Sequence, residues 1–202
     1  YGRSCIYEGS IVIAIIDCGG ANLRSVSYAL ENLNIEYQIC TNKEQIINSS
    51  AMVIPGVGAA RNVMNNLKKQ DLISTIKEYK KPVLGICVGM QIFYEYSEEE
   101  NEKCLGLIPG EIKRFDNNNL TIPHMGWNEV IFNDDSYNEC NGYYYFANSY
   151  FADVNKYTFG KCTYGRTFSA FVRKDNFFGV QFHPEKSSKN GSKFLIQFLK
   201  QL

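Results

Sequence analysis

Three apolar runs constrain this chain more than any other feature: IVIAIID at 11–17, AMVIPG at 51–56 and PVLGI at 82–86. Each is almost unbroken in aliphatic residues, the pattern of a strand covered on both faces. The intervals between them carry helical spacing. Asn22 is placed to cap a helix through about Leu33, with Leu23, Val26, Ala29, Leu30 and Leu33 on one face. IEYQIC (35–40) fits a further strand, and helices are expected at about 59–68 and 70–80. Pro82 opens the next strand, and Val88 to Tyr96 reads as the helix after it. Strand and helix alternating in this way predict an α/β fold, an open and mostly parallel sheet flanked by helices.

After Ser97 the pattern changes. SEEENEK is a charge run, expected to be a solvated loop. Short aromatic and β-branched pieces follow, near 110–114 and at 128–132, 142–146, 149–153, 156–164 and 169–175. DNNN, NDD and NG punctuate them, so they read as antiparallel strands added to the parallel core. NFFGVQF (176–182) is a last buried strand and 192–202 a closing amphipathic helix. There is no internal repeat and no linker-like stretch. Residues 11–202 are therefore expected to form one domain, with residues 1–10 an N-terminal extension or expression remnant.

Composition narrows the function classes. Twenty-one basic residues balance 21 acidic ones, which removes the electrostatic argument for a nucleic-acid or membrane partner. No apolar stretch approaches the roughly 18 residues of a membrane span. The seven cysteines are scattered, odd in number and without a CxxC pair, so neither a zinc site nor a disulfide framework is indicated. A reducing cytoplasm is the expected compartment.

One of those cysteines stands apart. In GICVGMQ, Cys87 lies between Gly85 and Gly89, where a strand gives way to a helix. Ordinary burial is one reading, since free cysteine is a small hydrophobe. The other is a nucleophile: small flanking residues permit a sharp strand-to-helix turn. A helix N-terminus there favours thiolate, and the Val88 N–H is free for an oxyanion. A thiolate acting on an acyl group needs a base, and the chain has only two histidines, His124 and His183. His183 ends the strand GVQF, and Glu185 lies two residues on, on the same side of an extended segment. Together these predict a Cys87–His183–Glu185 triad. Gln91 lies one helical turn beyond Cys87, either facing the site or exposed. PGVG (55–58) is half of a dinucleotide fingerprint, but it does not follow the first strand and Arg61 occupies the third glycine position. A backbone-donor loop beside the thiol fits better.

GICVGMQ, PGVG and QFHPEKS together resemble the class I, triad-type glutamine amidotransferases. PHMGWNEVIF and NGYYYF narrow the resemblance to the glutaminase subunits of imidazole glycerol phosphate synthase, over nearly all of 11–202. It implies glutamine hydrolysis through a glutamyl thioester on Cys87, with oxyanion donors from the Val88 N–H and a backbone N–H of PGVG, that of Val57. Gly58, Gln91 and the backbone at Ser149 and Tyr150 would hold the amino-acid end of glutamine. It implies no cofactor or metal, and a heterodimer with a (β/α)8-barrel cyclase of the HisF type, which uses the ammonia to form imidazole glycerol phosphate and AICAR in histidine biosynthesis. Pro123, His124, Met125, Gly126, Trp127, Tyr145 and Lys186 correspond to family positions at that interface. Such glutaminases are nearly idle until the partner binds its ligand, which implies a conformational change in the oxyanion loop. The chain departs from the family at Ala21, usually glycine, and at Asn148, usually histidine. These departures leave a second acceptor open, a surface-sugar amidotransferase fed by a HisH-like paralogue through a HisF-like partner. An independent thiol hydrolase is disfavoured, because it has no need of the aromatic face in PHMGWN.

Overall fold

The computed structural model describes residues 11–19, 22–56, 58–116 and 120–202. In chain order the elements are β1 (Val12–Ile16), α1 (Leu23–Glu31), β2 (Glu36–Cys40), α2 (Lys43–Ile47), β3 (Ala51–Ile54), α3 (Ala60–Lys69), α4 (Ile73–Glu78) and β4 (Val83–Ile86). They continue as α5 (Val88–Gln91), β5 (Tyr96–Ser97), β6 (Glu102–Lys103), β7 (Glu111–Arg114), β8 (His124–Phe132), β9 (Gly142–Asn148) and β10 (Tyr150–Ala152). The last are β11 (Thr158–Tyr164), β12 (Arg166–Lys174), β13 (Phe177–Val180) and α6 (Ser188–Leu199). Short 3₁₀ turns lie at Glu99–Asn101, Asp135–Cys140 and Pro184–Lys186.

A nine-stranded sheet runs β2-β1-β3-β4-β13-β12-β11-β8-β9. Its first five strands are parallel, and from β13 onward each neighbour is antiparallel. The three apolar runs are β1, β3 and β4, side by side and almost wholly buried, as a strand covered on both faces must be. A second sheet, β10-β7-β5-β6, packs beside the first. Beneath the antiparallel half Phe132, Tyr137, Phe171, Phe182 and Phe194 form one aromatic cluster, with Phe182 edge-on to Phe194 at 5.4 Å.

Three expectations need correction. The helix after Cys87 is one turn long instead of nine residues. The carbonyls of Ile92, Phe93 and Tyr94 are taken by the N–H groups of Leu105, Leu107, Ile108 and Gly106, so nothing remains to extend it. The charge run is not simply solvated: Ser97 is fully buried, and Glu102 is nearly so, paired with Arg61 and Lys68. Glu99 Oε2 accepts the Ala60 N–H at 3.1 Å, tying this segment to the start of α3. Asn22 stands at the N-cap of α1 but makes no capping bond; its side chain is used elsewhere. Helix α2 was not anticipated, although Asn42 caps it through the Gln45 N–H. The N-terminal extension and Ala21 lie outside the described residues.

Candidate active site

The site forms where the parallel half of the sheet meets the antiparallel half. Strands β4 and β13 are parallel neighbours with Ile86 opposite Val180, so their carboxyl ends emerge together. Cys87 and His183 follow those two ends, and the Cys87 N–H donates to the Val180 carbonyl at 2.7 Å. Register therefore brings Cys87 and His183 together from positions nearly a hundred apart. This is the position at which open α/β sheets collect their ligands.

Cys87 adopts φ 54°, ψ −110°, a conformation that costs a non-glycine residue about 1–3 kcal/mol. The turn is held by close packing. A Cβ on Gly89 would run into the Ile54 carbonyl oxygen, and one on Gly85 into the Gly89 carbonyl. The two glycines around Cys87 are therefore fixed by contact with each other and with β3. The Val88 N–H occupies the first position of α5, where a helix has no internal acceptor for it.

Cys87 is 4% exposed and His183 2%. His183 Nδ1 lies 2.7 Å from Glu185 Oε1, which places the other ring nitrogen on the Cys87 side. Burial alone pushes the imidazole down. The charge and hydrogen bond of Cys87, then those of Glu185, outweigh it and raise His183 to about 10. The arrangement holds an imidazolium against the sulfur. With α5 only four residues long, the ring supplies more of the positive charge there than the helix end does. Away from the site, burial pushes the thiols of Cys18, Cys104 and Cys162 up to about 12 and that of Cys140 to about 11.

Glu185 has a second partner that the sequence reading missed. Asn22 Nδ2 donates to Glu185 Oε1 at 2.8 Å, which explains why Asn22 leaves its own helix uncapped. A polar residue before a helix looks like a cap, and no local signal distinguishes one that turns outward.

Gln91 is 2% exposed and faces the site, which rejects the exposed alternative. Its Nε2 donates to Gln181 Oε1 at 2.9 Å and to the Tyr150 carbonyl at 3.3 Å. Asn148 Nδ2 donates to that same carbonyl at 2.9 Å. The structure thus joins Gln91, Tyr150 and the departure at Asn148, with Ser149 between them and its carbonyl taken by the Phe115 N–H. Gly58 is exposed with φ +85°, and Val57 lies outside the described residues.

The residues assigned to a partner face divide. Met125 and Trp127 are exposed on one side of β8, Trp127 by 54%, and Tyr145 stands opposite Trp127 across β9. Pro123 and Lys186 are also exposed, and Gly126 is open on its Cβ side. His124 is a correction: it is 4% exposed, stacked on Tyr164 at 4.0 Å and Phe146 at 4.8 Å, and it presents no surface. Alternation along β8 turns it inward. Strand β9 also touches the segment that carries His183. The Tyr145 carbonyl accepts the His183 N–H at 2.9 Å, and the Tyr145 N–H donates to Ser187 Oγ at 3.0 Å.

Fold and site together define a class I glutamine amidotransferase. The family model described as "Glutamine amidotransferase class-I" matches residues 14–202. A solved structure described as a glutamine amidotransferase has a TM-score of 0.74 at 16% identity, covering 94% of this chain and 97% of that one. The structure of PurLQS from Thermotoga maritima gives a TM-score of 0.73 at 16% identity, covering 95% and 99%. These likenesses establish the fold. Sequence relatives go further. The imidazole glycerol phosphate synthase subunit HisH of Vibrio parahaemolyticus is 41% identical over 200 residues, covering 93% of this chain and 97% of its own. That of Buchnera aphidicola is 44% identical over 192 residues, covering 93% and 98%. The chain belongs to the HisH family.

Proposed function

We propose that this chain hydrolyses glutamine at Cys87 and passes the ammonia to a (β/α)8-barrel cyclase of the HisF type, in the reducing cytoplasm. The sulfur attacks the side-chain amide carbon of glutamine, and the oxyanion is held by the Val88 N–H and a backbone N–H of Val57. The C–N bond breaks as His183 gives its proton to the leaving nitrogen, releasing ammonia and leaving a glutamyl thioester. His183 then takes a proton from water, whose oxygen attacks the thioester; glutamate leaves and the thiolate returns. Glu185 holds Nδ1 throughout. Gly58, Gln91 and the backbone of Ser149 and Tyr150 hold the amino-acid end of the substrate.

The observation that carries this reading is Cys87 in its strained turn beside an imidazole raised by the sulfur and by Glu185. The partner is supported by the family and by the face on which Met125 and Trp127 are exposed beside half-buried Tyr145, an aromatic anchor. Pro123, Gly126 and Lys186 border it.

The test is glutamate release from glutamine by the chain alone and with a HisF cyclase plus its nucleotide ligand, beside a Cys87→Ala control. Strong stimulation that the control abolishes is the expected result. No stimulation, with Cys87 still labelled by a glutamine-like electrophile, overturns the partner and keeps the nucleophile.

A further inference from the structure

Gln181 is fully buried in the strand exit between Val180 and His183, and the triad chemistry leaves it without a task. Its backbone N–H is anchored on the Ala170 carbonyl at 2.9 Å. Its side-chain Oε1 accepts Gln91 Nε2 at 2.9 Å, and its own Nε2 lies 3.6 Å from Cys87 Sγ. Because Gln91 occupies the carbonyl end of this amide, only the NH2 end is left to face the sulfur. A buried amide without partners costs a few kcal/mol, so this orientation is strongly held. Residues two apart in an extended segment share a side, so Gln181 and His183 approach Cys87 from the same strand face.

We infer that Gln181 is a positioning residue for the Cys87 thiolate, donating an N–H to the sulfur in an orientation fixed by Gln91. The thiolate then has two donors, the imidazole and this amide. Gln91 also bonds Tyr150, at the edge of the proposed substrate pocket, so a ligand that draws on Gln91 re-aims the amide at the nucleophile. This inference rests on Cys87 being the nucleophile.

The experiment is the pH dependence of Cys87 alkylation by iodoacetamide in the full chain, read as the mass of the Cys87 peptide. It compares the parent chain with Gln181→Met and Gln91→Met, with melting temperatures measured alongside. Loss of the N–H donor is expected to move the Gln181→Met midpoint upward by about one pH unit, a roughly tenfold slower reaction below the midpoint. Gln91→Met releases the amide and is expected to shift it the same way, by less. A structural role alone lowers the melting temperature and leaves the midpoint in place, so an unchanged midpoint in Gln181→Met overturns the inference. If that variant fails to fold, Gln91→Met decides, and an unmoved midpoint there overturns it equally. Failure of the underlying reading looks different: in the parent chain Cys87 then reacts no faster than buried Cys18, Cys104, Cys140 or Cys162.

Discussion

His183 carries the sharpest electrostatic argument at the scale of single residues. Burial opposes its charge, and Cys87 contributes the largest compensation, ahead of Glu185. The folded value, about 10, lies above the ordinary histidine value. The stability it contributes is therefore fully present below about pH 6.5 and is lost as the pH rises through 10. Replacing Cys87 by alanine leaves burial opposed by Glu185 alone, so the His183 pKa is expected to fall. Nitrogen-15 NMR of the imidazole checks this: a ring that stays charged from pH 6 to 9 in the parent should lose its proton at lower pH in Cys87→Ala. An identical titration in both would break the link between ring and sulfur. Asn22 offers a second test. Its amide is a buried donor to Glu185, and hydrogen bonds to charged groups contribute about 1.5–3 kcal/mol. In Asn22→Ala we expect kcat for glutamate release to fall about tenfold or more with KM nearly unchanged, because the carboxylate no longer holds the ring in line. An unchanged kcat would show that His183 alone suffices to place Glu185.

Among the elements, the contact between β3 and the Cys87 turn tolerates little change. Gly89→Ala puts a methyl group into the Ile54 carbonyl, which backbone cannot vacate without moving β3. The expected penalty is about 3 kcal/mol or more, a drop of roughly 10 °C in Tm by calorimetry, and a Tm within 2 °C of the parent would contradict the packing. Trp127 behaves in the opposite way. It is half exposed and meets Tyr145 edge-on at 6.3 Å, so Trp127→Ala should leave Tm almost unaltered while weakening the cyclase complex at least tenfold in titration calorimetry. Much of this was legible in the sequence. The parallel strands declared themselves because burial on both faces leaves an unbroken apolar run, and Cys87 because of its flanking glycines. The step of two from His183 to Glu185 came from the same reasoning, and applied backwards it would have found Gln181. What was not legible depends on distant partners. The end of α5 is set by N–H groups of residues 105–108, the role of Asn22 by a carboxylate 163 positions away, and the inward turn of His124 by the register of β8.

For the molecule as a whole, the balance of 21 acidic and 21 basic residues gives no global reason to unfold in mild acid. One buried ring does. His124 sits where β8 and β9 close the antiparallel edge of the large sheet, sandwiched between Tyr164 and Phe146. Asn128 Nδ2 lies 3.3 Å from its Nε2, so that nitrogen is the acceptor and Nδ1 carries the proton. Burial pushes its pKa down to about 4, with Asn148, its partner across the strands, offsetting part of the effect. The folded state therefore refuses a proton that the unfolded chain takes up at about pH 6.5, and stability must fall as the pH drops from there towards 4. Between pH 7 and 5 the linkage amounts to about 2 kcal/mol, a large part of a typical folding free energy of roughly 5–15 kcal/mol. Urea unfolding at the two pH values measures it directly. His124→Phe keeps the aromatic stack and removes the titration, and Asn128 retains its bond to the Thr163 carbonyl. The variant should lose about 2 kcal/mol less than the parent between pH 7 and 5. Equal losses would mean that acid enters the fold elsewhere. A smaller loss in the variant would locate the acid sensitivity at the base of the same two strands whose outer face carries Trp127 and Tyr145.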